Sequence, residues 1–126
     1  LAEPVHGAIG GLSILRARGY YVELVTSKPE WAEPQVSKWL GRWRPRYNAL
    51  TIVRPGQSKA DFTDASIIID DKLQTCIDFT KAGRSAIWFN QYPSSREAAE
   101  PFLSPFLREA TRWIPEVLDL VEEAMR

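Results

Sequence analysis

Apolar and polar positions along the chain form two kinds of segment that alternate. Four short runs are mostly apolar, and all but the second end in polar side chains: Tyr20–Ser27 (YYVELVTS), Ala49–Val53 (ALTIV), Ser66–Asp71 (SIIIDD) and Ser85–Asn90 (SAIWFN). Runs of this length, rich in β-branched and aromatic residues, predict strands. Their near-continuous apolar character predicts burial on both faces, as in a parallel sheet. Between them, apolar residues recur at helical spacing. Val5–Arg18 places Val5, Ile9, Leu12 and Leu15 on one face, and Gly19 stands at the C′ stop. Pro34 suits a first helical position, with Val36, Trp39, Leu40 and Trp43 in one stripe behind it. Leu73, Cys76, Ile77 and Thr80 make a shorter stripe ending at Gly83, which makes Cys76 a core residue. Ser104-Pro105 pairs a capping residue with an N1 proline and predicts a helical tail to Arg126, broken or kinked at Pro115.

Helix and strand alternate throughout. That order predicts an α/β fold: a three-layer sandwich around a parallel sheet with right-handed crossovers. At 126 residues, with no internal repeat, low-complexity tract or linker, residues 1–126 read as a single domain. Five Trp, five Phe and four Tyr give ample surface to bury and argue against disorder. No stretch approaches the ~18 uninterrupted apolar residues of a membrane span. Sixteen basic residues balance sixteen acidic ones, which argues against a nucleic-acid or membrane coat, since both need a basic surplus. The single cysteine, Cys76, excludes an internal disulfide framework and a Cys-based zinc site. The single histidine, His6, read as a surface residue near a helix start, excludes a multi-histidine metal site. The expected setting is intracellular and cytoplasmic, with an organelle left open, because neither disulfides nor a signal peptide are seen.

The chemistry is expected where the strands end, because ligands of open parallel sheets bind beyond the carboxyl ends of the strands. The first strand ends in Thr26-Ser27 and the third in Asp70-Asp71. Lys59 lies between them in the loop Gly56-Gln57-Ser58-Lys59. Hydroxyls and an ammonium hold phosphate oxygens, and paired carboxylates hold Mg²⁺, a hard cation that takes oxygen ligands. The set reads as a Mg²⁺–phosphate site.

These residues occur in an order that resembles the haloacid dehalogenase-like (HAD) phosphohydrolases, with the closest likeness to their 5′-nucleotidase (deoxyribonucleotidase) branch. The resemblance runs from Pro4 to about Gln91. It rests on Pro4 and Gly7 before a helix, Leu-Arg-x-Arg-Gly-Tyr at 15–20, Leu24-Val25-Thr26-Ser27, Ser58-Lys59-Ala60-Asp61, Ile67-Ile68-Ile69-Asp70-Asp71, and Ala82-Gly83 before the last strand. It implies a Rossmannoid α/β/α core and Mg²⁺-dependent hydrolysis of a phosphomonoester, most simply a nucleotide. Thr26, or Ser27 beside it, would bind the transferring phosphoryl. Lys59 would neutralise its charge and orient the nucleophile. Asp70 would ligate Mg²⁺, with Asp71 as second ligand or outer partner. The catalytic set carried over is thus Lys59 and Thr26.

The chain departs from the family at one point. The family's nucleophile is the first Asp of an Asp-x-Asp motif closing an N-terminal strand, and no such strand precedes Pro4. The cap segment that follows that motif is missing too. In the family's sheet that strand is central, between those corresponding to Thr26-Ser27 and Asp70-Asp71. The expectation is therefore a reduced HAD-like sheet, as an N-terminally truncated fragment, as a version that has closed the gap, or with the gap filled by a protein partner or a dimer. Alone, such a chain is inactive by the family mechanism.

Simpler roles stand beside these. Asp70-Asp71 can cap the helix that follows, Thr26-Ser27 can cap a turn before Pro29, and Lys59 can be a solvated loop lysine. The stretch Lys38–Tyr47 competes for function: Lys38, Arg42, Arg44 and Arg46 interleave with Trp39, Trp43 and Tyr47 without an acid. Such mixing suits RNA or a single strand, and equally an amphipathic helix with Trp in the core and a basic wet face. A non-catalytic binding or structural module, part of a protein or RNA–protein assembly and contacting its partner through Arg42, Arg44 and Arg46, is the alternative. The proline-rich tail from Tyr92 (Pro93, Pro101, Pro105, Pro115) either packs on the sheet or reaches a partner.

Overall fold

A computed structural model of the chain describes residues 3–92 and 95–126, so Pro93 of the tail lies outside the described residues. Its elements follow in the order α1 (Ala8–Ala17), β1 (Glu23–Ser27), α2 (Glu33–Trp43), β2 (Ala49–Val53), β3 (Ile67–Asp70), α3 (Leu73–Lys81), β4 (Ser85–Phe89), α4 (Arg96–Ala99), β5 (Leu107–Ala110) and α5 (Leu118–Ala124). The fold is mixed α/β, and every strand pair is parallel: β1 with β2, and β3 with β4 with β5. The chain divides into two compact units, Leu1–Thr63 and Asp64–Arg126. No helix among the described residues is long and apolar enough to cross a membrane.

In the first unit, α1 ends where the sequence places its stop. Gly19 adopts φ 91°, and the Tyr20 N–H donates to the Leu15 carbonyl at 3.1 Å. A side chain at that φ would be strained, so glycine is the natural residue there. The β1–β2 pair opens on a reciprocal contact. The Val22 N–H donates to Asn48 Oδ1 at 2.8 Å, and the Asn48 N–H donates to the Val22 carbonyl at 2.7 Å. The register then runs from Glu23↔Ala49 to Ser27↔Val53. Helix α2 is the crossover between these strands. Its stripe behaves as its spacing predicts: Val36 is buried, Trp39, Leu40 and Trp43 are half-buried, and Lys38 and Arg42 face water.

In the second unit, α3 packs on β3 and β4 and buries Thr75, Cys76, Ile77 and Phe79. Cys76 is fully enclosed, as expected of a core residue. The helix stops at Gly83 (φ 78°), where the Arg84 N–H donates to the Phe79 carbonyl at 3.0 Å. Strand β4 has a neighbour on each side and is buried from Ala86 through Phe89. Among the described residues β1 pairs only with β2, and its residues Glu23–Thr26 are only half-buried. Burial on both faces is thus met in β4 and not in β1, whose second edge has no strand to cover it.

The tail corrects an expectation. Ser104 does cap, its Oγ accepting from the N–H groups of Phe106 at 3.1 Å and Leu107 at 3.2 Å. The turn it makes feeds a strand, β5, and not a helix. Pro115 therefore breaks no long helix: a strand lies upstream, Ile114 has non-helical φ −117° and ψ 121°, and regular α-helix runs from Leu118.

Candidate functional site

The sequence-predicted site residues fall into two groups, one per unit. Thr26 and Ser27 occupy the carboxyl end of β1, Thr26 half-buried and Ser27 exposed. The pairing continues one residue further, with the Lys28 N–H donating to the Val53 carbonyl at 2.9 Å, so the end of β1 is held against β2. Lys59 opens a short 3-10 turn, Lys59–Asp61, that packs against β1. The loop before it is shaped by Gln57, whose Oε1 accepts from the Arg54 N–H at 3.1 Å. Arg54 in turn reaches the Lys28 carbonyl and the Glu33 carboxylate, each at 3.2 Å. The loops that follow β1 and β2 are therefore tied together, and the hydroxyls and the Lys59 turn belong to one small scaffold.

The acidic pair sits at the carboxyl end of β3. Asp70 is buried and Asp71 is exposed. Asp70 Oδ1 accepts from the Lys72 N–H at 2.8 Å, a side-chain turn that starts α3. This is a turn onto the residue that precedes α3, and the helix itself carries no side-chain cap, so the capping role weighed from sequence is replaced by a turn. The Trp88 indole N–H donates to the Asp71 carbonyl at 3.0 Å and fixes the backbone behind the pair.

Asn90 is the residue that sequence reasoning passed over. It lies just beyond β4, next to the end of β3, and is 3% exposed. Its Nδ2 donates to Glu109 Oε2 at 2.8 Å, and its Oδ1 accepts from the Tyr92 N–H at 2.9 Å and the Ser95 hydroxyl at 3.1 Å. Glu109 is also paired with Arg96 at 3.1 Å. The only signal in the sequence was a polar residue closing the apolar run SAIWFN. The carboxyl end of the three-stranded sheet thus presents Asp70 and Asp71 on one strand and a fully hydrogen-bonded Asn90 on the next.

Two adjacent carboxylates suit Mg²⁺, which is commonly held by one or two carboxylates, waters and substrate phosphate oxygens. No group of three or more His, Cys, Asp or Glu able to hold a metal forms among the described residues. Asp70 and Asp71 are adjacent in sequence, one buried and one exposed. Arg42, Arg44 and Arg46 are all exposed, but only Arg42 lies in α2, which ends at Trp43 with Arg44 in the left-handed conformation, so the amphipathic-helix reading does not extend to Arg44 and Arg46.

Comparison with protein-family models, with curated proteins and with solved structures returned no match.

Proposed function

We propose that this chain carries the phosphate-binding and metal-binding part of a Mg²⁺-dependent, nucleotidase-like phosphohydrolase of HAD type. Its nucleophile would come from a strand bearing the family's Asp-x-Asp motif, which does not occur in these 126 residues. The observation that carries the reading is an asymmetry of strand pairing. Among the described residues β1 pairs only with β2, and β3 pairs only with β4. These are the two strands that end in Thr26-Ser27 and in Asp70-Asp71, and in the family both pair with the strand bearing the nucleophile. An unpaired edge leaves backbone N–H and C=O groups open to another strand.

In this reading Thr26 and Ser27 donate hydroxyl hydrogen bonds to the transferring phosphoryl. Lys59 neutralises its charge, as a single cation on a flexible stem. Asp70 and Asp71 would hold Mg²⁺, which supplies charge neutralisation at the phosphate oxygens. In the family the carboxylate that attacks phosphorus belongs to the Asp-x-Asp strand: it forms an aspartyl-phosphate as the alcohol leaves, and water then releases phosphate, so this reading gives the chain the binding of a phosphate and not its cleavage.

The test adds an apolar strand ending in Asp-x-Asp, with a cap-sized linker, ahead of Pro4. Release of phosphate from deoxynucleoside monophosphates is then measured with and without Mg²⁺. Hydrolysis that needs Mg²⁺, and falls at least about 100-fold in Asp70→Asn and in Lys59→Ala, is expected. Hydrolysis undiminished by Asp70→Asn would sink the metal assignment. For the chain without the strand, Mg²⁺-dependent binding of a nucleoside monophosphate, weakened by Lys59→Ala, is the matching measurement by calorimetry.

A further inference from the structure

The opposite end of the first unit's sheet carries a different chemistry. Five residues, Arg18–Val22, join α1 to β1, and five, Arg44–Asn48, join α2 to β2. Because β1 and β2 are parallel, both connections lie at their amino ends, away from Thr26 and Ser27. The reciprocal Val22–Asn48 contacts at 2.8 and 2.7 Å tie the two connections together, with Tyr21 and Tyr47 the residues immediately before that pair. One edge therefore gathers Arg18, Tyr21, Arg44, Arg46 and Tyr47, with Arg42 in the last turn of α2. All four arginines are exposed, and Tyr21 is 74% exposed. The Arg42 guanidinium carbon lies over the Trp43 ring, 4.8 Å from its centre, a cation–π contact.

Two further observations point the same way. The chain's zero net charge hides a segregation. Leu1–Thr63 holds nine Lys and Arg against five Asp and Glu, whereas Asp64–Arg126 holds seven against eleven. No acid occurs from Pro34 through Ala60. Arg44 also adopts the left-handed conformation, φ 49° and ψ 52°, and precedes Pro45. A residue with a Cβ is disfavoured there, and glycine is the usual occupant of a helix end of this kind. The chain keeps an arginine at a position whose backbone calls for glycine, and strain of this sort gathers at functional sites.

We propose that this edge binds single-stranded nucleic acid. Arg18, Arg42, Arg44 and Arg46 contact successive phosphodiesters, and Tyr21 stacks on an unpaired base. Four cations spread along one edge suit a chain of phosphates better than the single phosphate of a mononucleotide. The exposed ring beside them suits unstacked bases rather than a closed duplex.

The test is fluorescence anisotropy of a labelled, uridine-rich RNA of about 12 nucleotides with the full chain. Four phosphate contacts on a single strand give a slope of about −2.8 in log affinity against log salt. Affinity should then fall about 50-fold between 50 and 200 mM salt. Arg44→Gly should lower affinity and reduce the slope by about 0.7, while the melting temperature stays level or rises because glycine relieves the backbone. Tyr21→Ala should lower affinity roughly 5- to 150-fold with the slope unchanged, since stacking releases no ions. Several results would overturn the proposal. These are unchanged affinity in the triple variant Arg42→Gln, Arg44→Gly, Arg46→Gln, equal affinity for a blunt duplex, or binding to anionic vesicles without binding to RNA. Displacement of the RNA by millimolar nucleoside monophosphate would also overturn it, by placing the RNA at the strand ends. None of these readouts depends on Mg²⁺ or on hydrolysis.

Discussion

Replacing Asp70 with Asn and, separately, with Ala separates the turn this side chain makes from the metal-ligand role proposed for it. Asp70 Oδ1 accepts the Lys72 N–H at 2.8 Å and so launches α3. Asn keeps an acceptor oxygen at the same place and forms the same kind of side-chain turn as Asp. Ala removes the acceptor and leaves a backbone N–H to find water at the edge of a buried segment. Loss of such a charge-assisted bond costs about 1–2 kcal/mol. For a chain of this size that lowers the melting temperature by roughly 3–8 °C. Asp70→Asn should stay within about 2 °C of the parent. Near-ultraviolet circular dichroism follows the melt through Trp88 and Trp113, both in the same unit as Asp70. Repeating the melts in Mg²⁺ adds the second duty. At a hundredfold excess over its dissociation constant, a bound ion stabilises by about 2.7 kcal/mol, and Asn should lose most of that while keeping the fold. If Asp70→Asn melts as low as Asp70→Ala without Mg²⁺, the acceptor geometry is not what supports the entry to α3, and the account of the turn is refuted.

Three other perturbations probe the frame around the site. Phe79→Ala empties a fully buried ring position beneath α3, and a loss of about 3–5 kcal/mol is expected in a urea titration. Asn90→Ala strips three side-chain hydrogen bonds from a residue 3% exposed, and should cost about 2–3 kcal/mol in the same assay while loosening the Tyr92–Ser95 turn to proteolysis. Glu33→Gln breaks an ion pair whose partners are 44% and 40% exposed, so thermal melts should shift by no more than about 0.5 kcal/mol, and less in high salt.

The strands were the most legible part of the chain, and the reason is compositional. ALTIV became β2 over its full length, and SIIIDD and SAIWFN became β3 and β4 to within one residue at each end. Tyr20–Ser27 shortened to Glu23–Ser27, because Tyr20–Val22 are taken up by the turn out of α1 and the contacts with Asn48. Gly19 and Gly83 marked helix ends because only glycine enters φ near 80–90° without strain. β5 was not legible: Leu107–Ala110 reads Leu-Arg-Glu-Ala, with no β-branched or aromatic residue. It is a strand because Ala86–Phe89 offers it a parallel edge in register, a preference that lies in the partner and not in its own residues.

For the candidate site, the polar endings of the strands were visible in the sequence, since each follows an apolar run. The sequence also showed that Asp70-Asp71 precedes a helix. Tertiary structure decided the rest. It placed Asp70 inside and Asp71 outside, enclosed Asn90 between neighbouring strands, and left β1 and β3 each paired on one side only. It also brought Arg18 and Tyr21 beside Arg44 and Arg46, residues that no local spacing relates. Local pattern determines which segments are helix and strand and where each can stop, because those are matters of backbone sterics and of one face's burial. Which strand lies beside which, and so which distant side chains share an edge, depends on pairing across the sheet, where the partners are many residues apart.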